Sequence, residues 1–165
     1  MYKRQGYILA TPLQLAMAYS GLANKGVIYQ PQFIQPEDEK SFEPKKVAEI
    51  QLSDNKAWEK MEQALVDVIS ARNGTAHKVY DANSVVIAGK TGTAQIKSIL
   101  PGKEYDAIRE NPALRDHALF VGYGPVEDPK LVVAVIIENG ESGSEVAAPI
   151  VKSAINFFTG GFDAE

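Results

Sequence analysis

The chain has no cysteine, two histidines and a single tryptophan. Disulfides and thiol chemistry are therefore excluded, although that absence says little about compartment. His77 and His117 stand without paired cysteines, a His-x-x-x-His spacing or an acidic calcium loop, which argues against a metal site. No apolar run approaches the length a membrane-spanning helix needs, and no signal-peptide core stands near Met1. An excess of basic charge is missing too. Lys+Arg number 17 against 21 Asp+Glu, for a net charge of −4 and a pI near 5.3, and this speaks against nucleic acid as the partner. Neither an internal repeat nor a low-complexity tract is present. What remains is 165 residues at 45% hydrophobic content and a mean hydropathy of −0.17, suited to one globular domain spanning residues 1–165.

The stretch that carries most information runs over residues 85–95. Val85-Val86-Ile87-Ala88 is an uninterrupted apolar run of β-branched character, which reads as a strand buried on both faces of a sheet. Gly89, Lys90, Thr91, Gly92 and Thr93 follow without a break. Alternation along a strand sends Thr91 and Thr93 one way and Lys90 and Gly92 the other. Glycine inside a strand marks a bulge or a close approach to the backbone. Two hydroxyls on one face, a cation beside them and bare backbone between could dock a carboxylate. A strand that simply ends in a polar turn explains the tripeptide Lys-Thr-Gly equally well. The tail of a P-loop does not: that motif requires a glycine where Ser84 stands, and a helix after the lysine where Gly92 follows.

Gly89-Lys90-Thr91-Gly92-Thr93-Ala94-Gln95 resembles the third active-site motif of the penicillin-binding transpeptidases, whose other motifs are Ser-x-x-Lys and Ser-x-Asn. Three further segments resemble the family in order. They are Gly6-Tyr7 with Thr11-Pro12-Leu13-Gln14-Leu15-Ala16, then Arg115-Asp116-His117-Ala118-Leu119-Phe120-Val121-Gly122-Tyr123, then Ala147-Ala148-Pro149. The Asp-His-Ala-Leu-Phe phrase is most similar to class B enzymes of the cell-elongation type.

This resemblance implies an enzyme that cross-links peptidoglycan stem peptides through a serine acyl-enzyme, with β-lactams mimicking the D-Ala-D-Ala substrate. By the family pattern Lys90 supplies positive potential in the cleft. Thr91, Gly92 and Thr93 bind substrate, with the two hydroxyls on the carboxylate, and the Thr93 backbone N–H is half of an oxyanion hole. No cofactor or metal is implied. The implied partners are the stem peptide, β-lactams, the remainder of the transpeptidase domain and the cell-elongation machinery. The implied location is the periplasmic face of the cytoplasmic membrane, with the parent protein anchored by another segment. The nucleophilic serine, its lysine partner and the Ser-x-Asn motif are expected outside these 165 residues, so the fragment alone is expected to be inactive.

Along the chain, Thr11 and Pro12 open a helix over residues 12–24 whose spaced apolar positions are Leu15, Ala18, Tyr19 and Leu22, ended by Gly26. Residues 27–34 read as a short extended segment and 35–46 as a polar surface excursion. Ser53 reads as the N-cap of a second helix with Trp58, Met61, Leu65, Val68 and Ile69 on one face, closed by Asn73-Gly74. The long segment over residues 96–116 reads as functional or mobile. Residues 117–123 and 130–138 read as strands that complete a three-strand antiparallel meander. A last helix from Pro149 is expected to bury Ile150, Val151, Ala154, Ile155 and Phe158. The fold class is α+β, an antiparallel sheet with helices laid on one face, part of the penicillin-binding and serine β-lactamase-like transpeptidase fold.

Ser53-Asp54-Asn55-Lys56 satisfies Ser-x-x-Lys and Ser-x-Asn at once, but the family sets those motifs on separate segments far upstream of the Lys-Thr-Gly strand. A helix cap explains Ser53 better. Gly140-Glu141-Ser142-Gly143-Ser144 lacks the last glycine of a nucleophile elbow and reads as a flexible turn. His117, at a strand start, reads as a structural hydrogen-bonding residue. Two other classes stay open: a non-enzymatic peptidoglycan- or penicillin-sensing module, and a nucleotide-binding domain.

Overall fold

The computed structural model describes residues 9–34, 43–54, 56–95 and 111–160. Gly6-Tyr7, Asn55 and most of the long segment over 96–116 lie outside them. Thr11 caps α1 (Pro12–Ala23): its hydroxyl oxygen accepts the Gln14 N–H at 3.2 Å while Gln14 Oε1 accepts the Thr11 N–H at 2.8 Å. Tyr19, Leu22 and Ala23 face the core, whereas Ala18 lies exposed on the turn beside them. Past the helix Lys25 takes φ 50° and Gly26 φ 103°. A side chain at 26 is also excluded by space, since a Cβ would sit 2.5 Å from the Ile50 carbonyl oxygen and 2.7 Å from the Trp58 ring.

β1 (Val27–Tyr29) pairs antiparallel with β2 (Lys46–Glu49), whose four residues are all exposed. β2 lies where the sequence suggests only a polar excursion ending at residue 46. A short strand with no buried face has no alternation by which to recognise it.

At the start of α2 (Lys56–Ser70), Asp54 replaces the expected Ser53 as the capping side chain. Asp54 Oδ1 accepts the Lys56 N–H at 2.9 Å and its carbonyl accepts the Ala57 N–H at 3.0 Å. Leu65 and Ile69 are buried as the spacing requires, whereas Met61 is 48% exposed. The helix stops before Gly74, which has no left-handed conformation. A Cβ there would overlap the Asp67 carbonyl oxygen and lie 2.5 Å from that of Val68, so glycine lets the chain fold back tightly over the helix end.

β3 (Ala88–Ala94), β4 (His117–Gly124) and β5 (Leu131–Ile137) form the expected antiparallel meander in that order. Ala88 is paired with Tyr123 and Thr91 with Phe120. Helices cover both faces of this sheet, not one. Tyr123 and Ala88 pack with Tyr19, Leu22 and Ala23 of α1 and Leu65 of α2. Phe120 is an odd number of positions from Tyr123, so it points the other way, onto Val151 and Ile155 of α3 (Ala148–Phe158). Each fully buried aliphatic side chain in such a layer contributes about 1.5–3 kcal/mol. Burial first, then the charges of Glu62 and Tyr19, raises the Tyr123 phenol to about 12, so it stays protonated.

Two expected core positions of the last helix are exposed, Ile150 at 46% and Phe158 at 61%. Val151 and Ile155 are buried as expected, and a π-helical turn (Gly143–Ala147) leads into α3 and adds Ala148 to the inward stripe in place of the two exposed positions. The apolar run also differs from its reading. Regular pairing begins at Ala88, and Val86 is 43% exposed, because β3 is the outermost strand of the sheet and pairs with no strand but β4 among the described residues.

Candidate active-site strand

β3 carries the sequence-predicted residues Lys90, Thr91, Gly92 and Thr93 side by side on the outermost strand. Thr91 and Thr93 stand on the face that meets α3, opposite Phe120 and Ala118. Lys90 leaves from the other face and is exposed, yet its ammonium folds back to its neighbour. Lys90 Nζ donates to the Thr91 carbonyl oxygen at 2.9 Å and to Thr91 Oγ1 at 3.4 Å. In an antiparallel strand the backbone groups of alternate residues face the same edge. The Thr93 N–H therefore faces the edge that the Thr91 carbonyl faces, where the ammonium sits.

Both glycines of the motif have a packing reason in addition to any ligand. A Cβ at Gly89 would lie 2.6 Å from the Phe120 ring, so its absence lets that fully buried ring pass beneath the strand. A Cβ at Gly92 would approach Leu119 Cβ to 3.2 Å. Gly143 then closes over this point: a Cβ there would overlap the Leu119 carbonyl oxygen and lie 2.8 Å from that of Gly92. The segment read as a flexible turn thus buries Gly143 against the backbone of β3 and β4 and buttresses the strand.

That buttress is itself fastened. The Asn139 N–H donates to His117 Nδ1 at 2.9 Å, Asn139 Nδ2 to the Arg115 carbonyl at 3.0 Å, and the Glu141 N–H to the Asp116 carbonyl at 2.9 Å. His117 therefore has the structural hydrogen-bonding role its position suggested. On the far side, Lys78 Nζ meets Glu145 Oε1 at 2.6 Å, and this contact holds the Glu145 carboxyl below its ordinary range. His77 Nδ1 lies 3.0 Å from the Ile69 carbonyl. No group of three metal-ligating side chains occurs among the described residues.

Thr75 is the neighbour that sequence reasoning missed. Its Oγ1 lies 3.1 Å from Thr91 Oγ1. The local pattern Asn73-Gly74-Thr75 signalled a helix end and a glycosylation triplet, and nothing in it points to a strand 16 residues further on. Ser53, by contrast, stays away from the strand. It precedes a helix whose first turn puts Trp58 against Gly26, and it is further along that helix that Leu65 and Val66 join the cluster holding Ala88. Ser142 and Ser144 hold each other at 3.2 Å between their hydroxyls.

Comparison with known proteins gives this geometry a setting. The family model described as penicillin binding protein transpeptidase domain matches residues 3–156. The peptidoglycan D,D-transpeptidase MrdA of Haemophilus influenzae is 35% identical over 158 residues, covering 93% of this chain and 24% of the relative. The structure of Pseudomonas aeruginosa PBP2 in complex with WCK 5153 superposes with a TM-score of 0.71 at 39% identity, over 93% of this chain and 31% of that one. PBP2 of Helicobacter pylori, solved as a complex with MreC, gives a TM-score of 0.69 at 28% identity, over 96% and 26%. The chain spans about a quarter of the length of the MrdA relative. A match that runs through α1, the whole meander and most of α3 is no accident of one tripeptide, and the chain belongs to the penicillin-binding protein transpeptidase domain family.

Proposed function

We propose that this chain is the C-terminal part of a single transpeptidase domain and supplies the Lys-Thr-Gly strand of a peptidoglycan D,D-transpeptidase. The reaction is acyl transfer. A serine outside these 165 residues attacks the carbonyl of the D-Ala-D-Ala bond, D-Ala leaves, and the amine of a second stem peptide takes the acyl group from the serine. Penicillin enters the same path and halts at the acyl-enzyme.

The observation that carries this reading is the arrangement on β3: two hydroxyls on one face and an ammonium returned to the first of them. Thr91 and Thr93 hold the terminal carboxylate through charge-assisted hydrogen bonds. Gly92 keeps the backbone open between them. The Thr93 N–H, facing the edge at which the ammonium sits, is one donor of the oxyanion hole. Lys90 raises the positive potential where a carboxylate arrives. The rest of the domain closes the cleft by bringing Ser-x-x-Lys and Ser-x-Asn to this edge. The parent works on the outer face of the cytoplasmic membrane beside elongation proteins; the Helicobacter pylori relative solved as a complex with MreC supports a protein partner there.

Intact-mass analysis after incubation with penicillin tests the assignment. The full-length protein is expected to gain one penicilloyl adduct, and this chain alone none. A stoichiometric adduct on Ser53 of the isolated chain would overturn it.

A further inference from the structure

We propose that Thr75 is a positioning residue for Thr91: it donates its hydroxyl proton to Thr91 Oγ1 and so turns the Thr91 proton outward, toward a bound carboxylate. The inference deepens the reading above and rests on it.

A threonine hydroxyl has one proton and two acceptor lone pairs. At Thr91 one lone pair faces Lys90 Nζ at 3.4 Å, and an ammonium can only donate. The other contact is Thr75 Oγ1 at 3.1 Å, in which either hydroxyl can give the proton. If Thr91 gives it to Thr75, nothing is left for a ligand. If Thr75 gives it, both lone pairs of Thr91 are taken and its own proton is free to point at an incoming carboxylate. A carboxylate next to Thr91 selects the second arrangement, because an ionised acceptor makes the stronger bond. The chain Thr75 O–H to Thr91 O–H to carboxylate is then polarised in one direction, and each bond strengthens the next.

The backbone shows why Thr75 can do this without loose motion. Gly74 is packed onto the end of α2, with its N–H donating to the Ala71 carbonyl at 2.8 Å. Ala76 is completely buried, and its N–H donates to the Val68 carbonyl at 2.8 Å. Thr75 is thus held between two anchored residues. Just beyond it, Lys78 is tied to Glu145 of the turn that buttresses β3. The hydroxyl is delivered by the body of the domain to a strand it does not pair with.

The test uses the full-length protein and the variants T75V, T75S, T91V and T75V/T91V. Second-order acylation rates are measured with penicillin and with a small activated ester that lacks the carboxylate. Melting temperatures are recorded for each variant. T75V leaves Thr91 its proton but removes the partner that orients and polarises it, so penicillin is expected to slow several-fold and the ester much less. T75S restores the donor and should recover most of the rate, which a purely structural role for the methyl group would not allow. On the T91V background, T75V should add little, because its partner is already gone. The inference is overturned if T91V is selective for penicillin while T75V is not, if T75S is as slow as T75V at an unchanged melting temperature, or if the two losses multiply in the double variant. If T91V itself shows no selectivity, the carboxylate reading falls, and this inference with it.

Discussion

Replacing Gly143 by alanine tests whether the turn before α3 holds the active-site strand in place. The new methyl group would overlap the Leu119 carbonyl oxygen and stand 2.8 Å from that of Gly92, and both obstacles are backbone. Neither can rotate away as a side chain could. Gly143 has no left-handed φ, so alanine brings no conformational strain of its own, and the less flexible unfolded chain returns about 0.4–1 kcal/mol. Overpacking against rigid backbone belongs at the upper end of the ~1–3 kcal/mol range. The net loss is then about 2–2.5 kcal/mol, a fall in melting temperature of roughly 2–4 °C for each kcal/mol in a domain of this size. The strand carrying Thr93 should move with its buttress, so acylation by fluorescent penicillin should slow in the full-length protein at temperatures well below the melt. A variant that melts and acylates like the parent would refute the reasoning, since the turn would then slide freely over Gly92. A lower melting temperature with unchanged acylation would confine the turn to packing.

Two further outcomes follow from the helix start and the charged surface. Asp54→Ala should cost about 1 kcal/mol through loss of the cap on α2, whereas Ser53→Ala should stay within about 0.5 kcal/mol; paired thermal melts distinguish them. Asp81 is held below its ordinary range by the Asn83 N–H and then by Lys152, and Glu145 by Lys78. Both folded-state values lie below the unfolded ones, so their contribution is present above the usual carboxylate range, near pH 4, and is lost as pH falls through the depressed values. Melts taken from pH 6 down to pH 3 should decline over that window, and the decline should shrink in Lys78→Met; an equal decline in the variant would show that this pair does not matter.

How much of this could be read from the sequence depended on the range over which each feature acts. The strand motif and the meander were legible because Thr91 and Thr93 are two residues apart and alternation is a local rule. The cap of α1 was legible for the same reason, with Thr11, Pro12 and Gln14 adjacent in the chain. At α2 the same logic chose the wrong neighbour, since Ser53 and Asp54 are both good caps and only the backbone path decides. On α3 Val151 and Ile155 were legible, but Ile150 and Phe158 were misplaced, and the π-helical turn that leads into the helix is invisible in composition. Helices on both faces follow from Phe120 and Tyr123 having opposite parity, but which helix meets which face is decided by tertiary packing. Thr75 and the Lys78–Glu145 pair were out of reach altogether: these partners lie 16 and 67 residues apart in the chain, and no periodicity connects them.

The central claim is that the threonines of β3 grip a carboxylate, and replacing both by valine in the full-length protein tests it most directly. Valine keeps the volume and the strand preference of threonine and removes only the hydroxyls. The Thr93 N–H survives the change, so the oxyanion donor is retained. Two charge-assisted hydrogen bonds at roughly 1.5–3 kcal/mol apiece correspond to a fall of about two orders of magnitude or more in the efficiency of acylation by penicillin. A small activated ester without the carboxylate should lose far less. Equal slowing of both reagents would mean that the threonines position the strand and do not hold the ligand, and no slowing of either would make Lys90, Thr91, Gly92 and Thr93 an ordinary strand end.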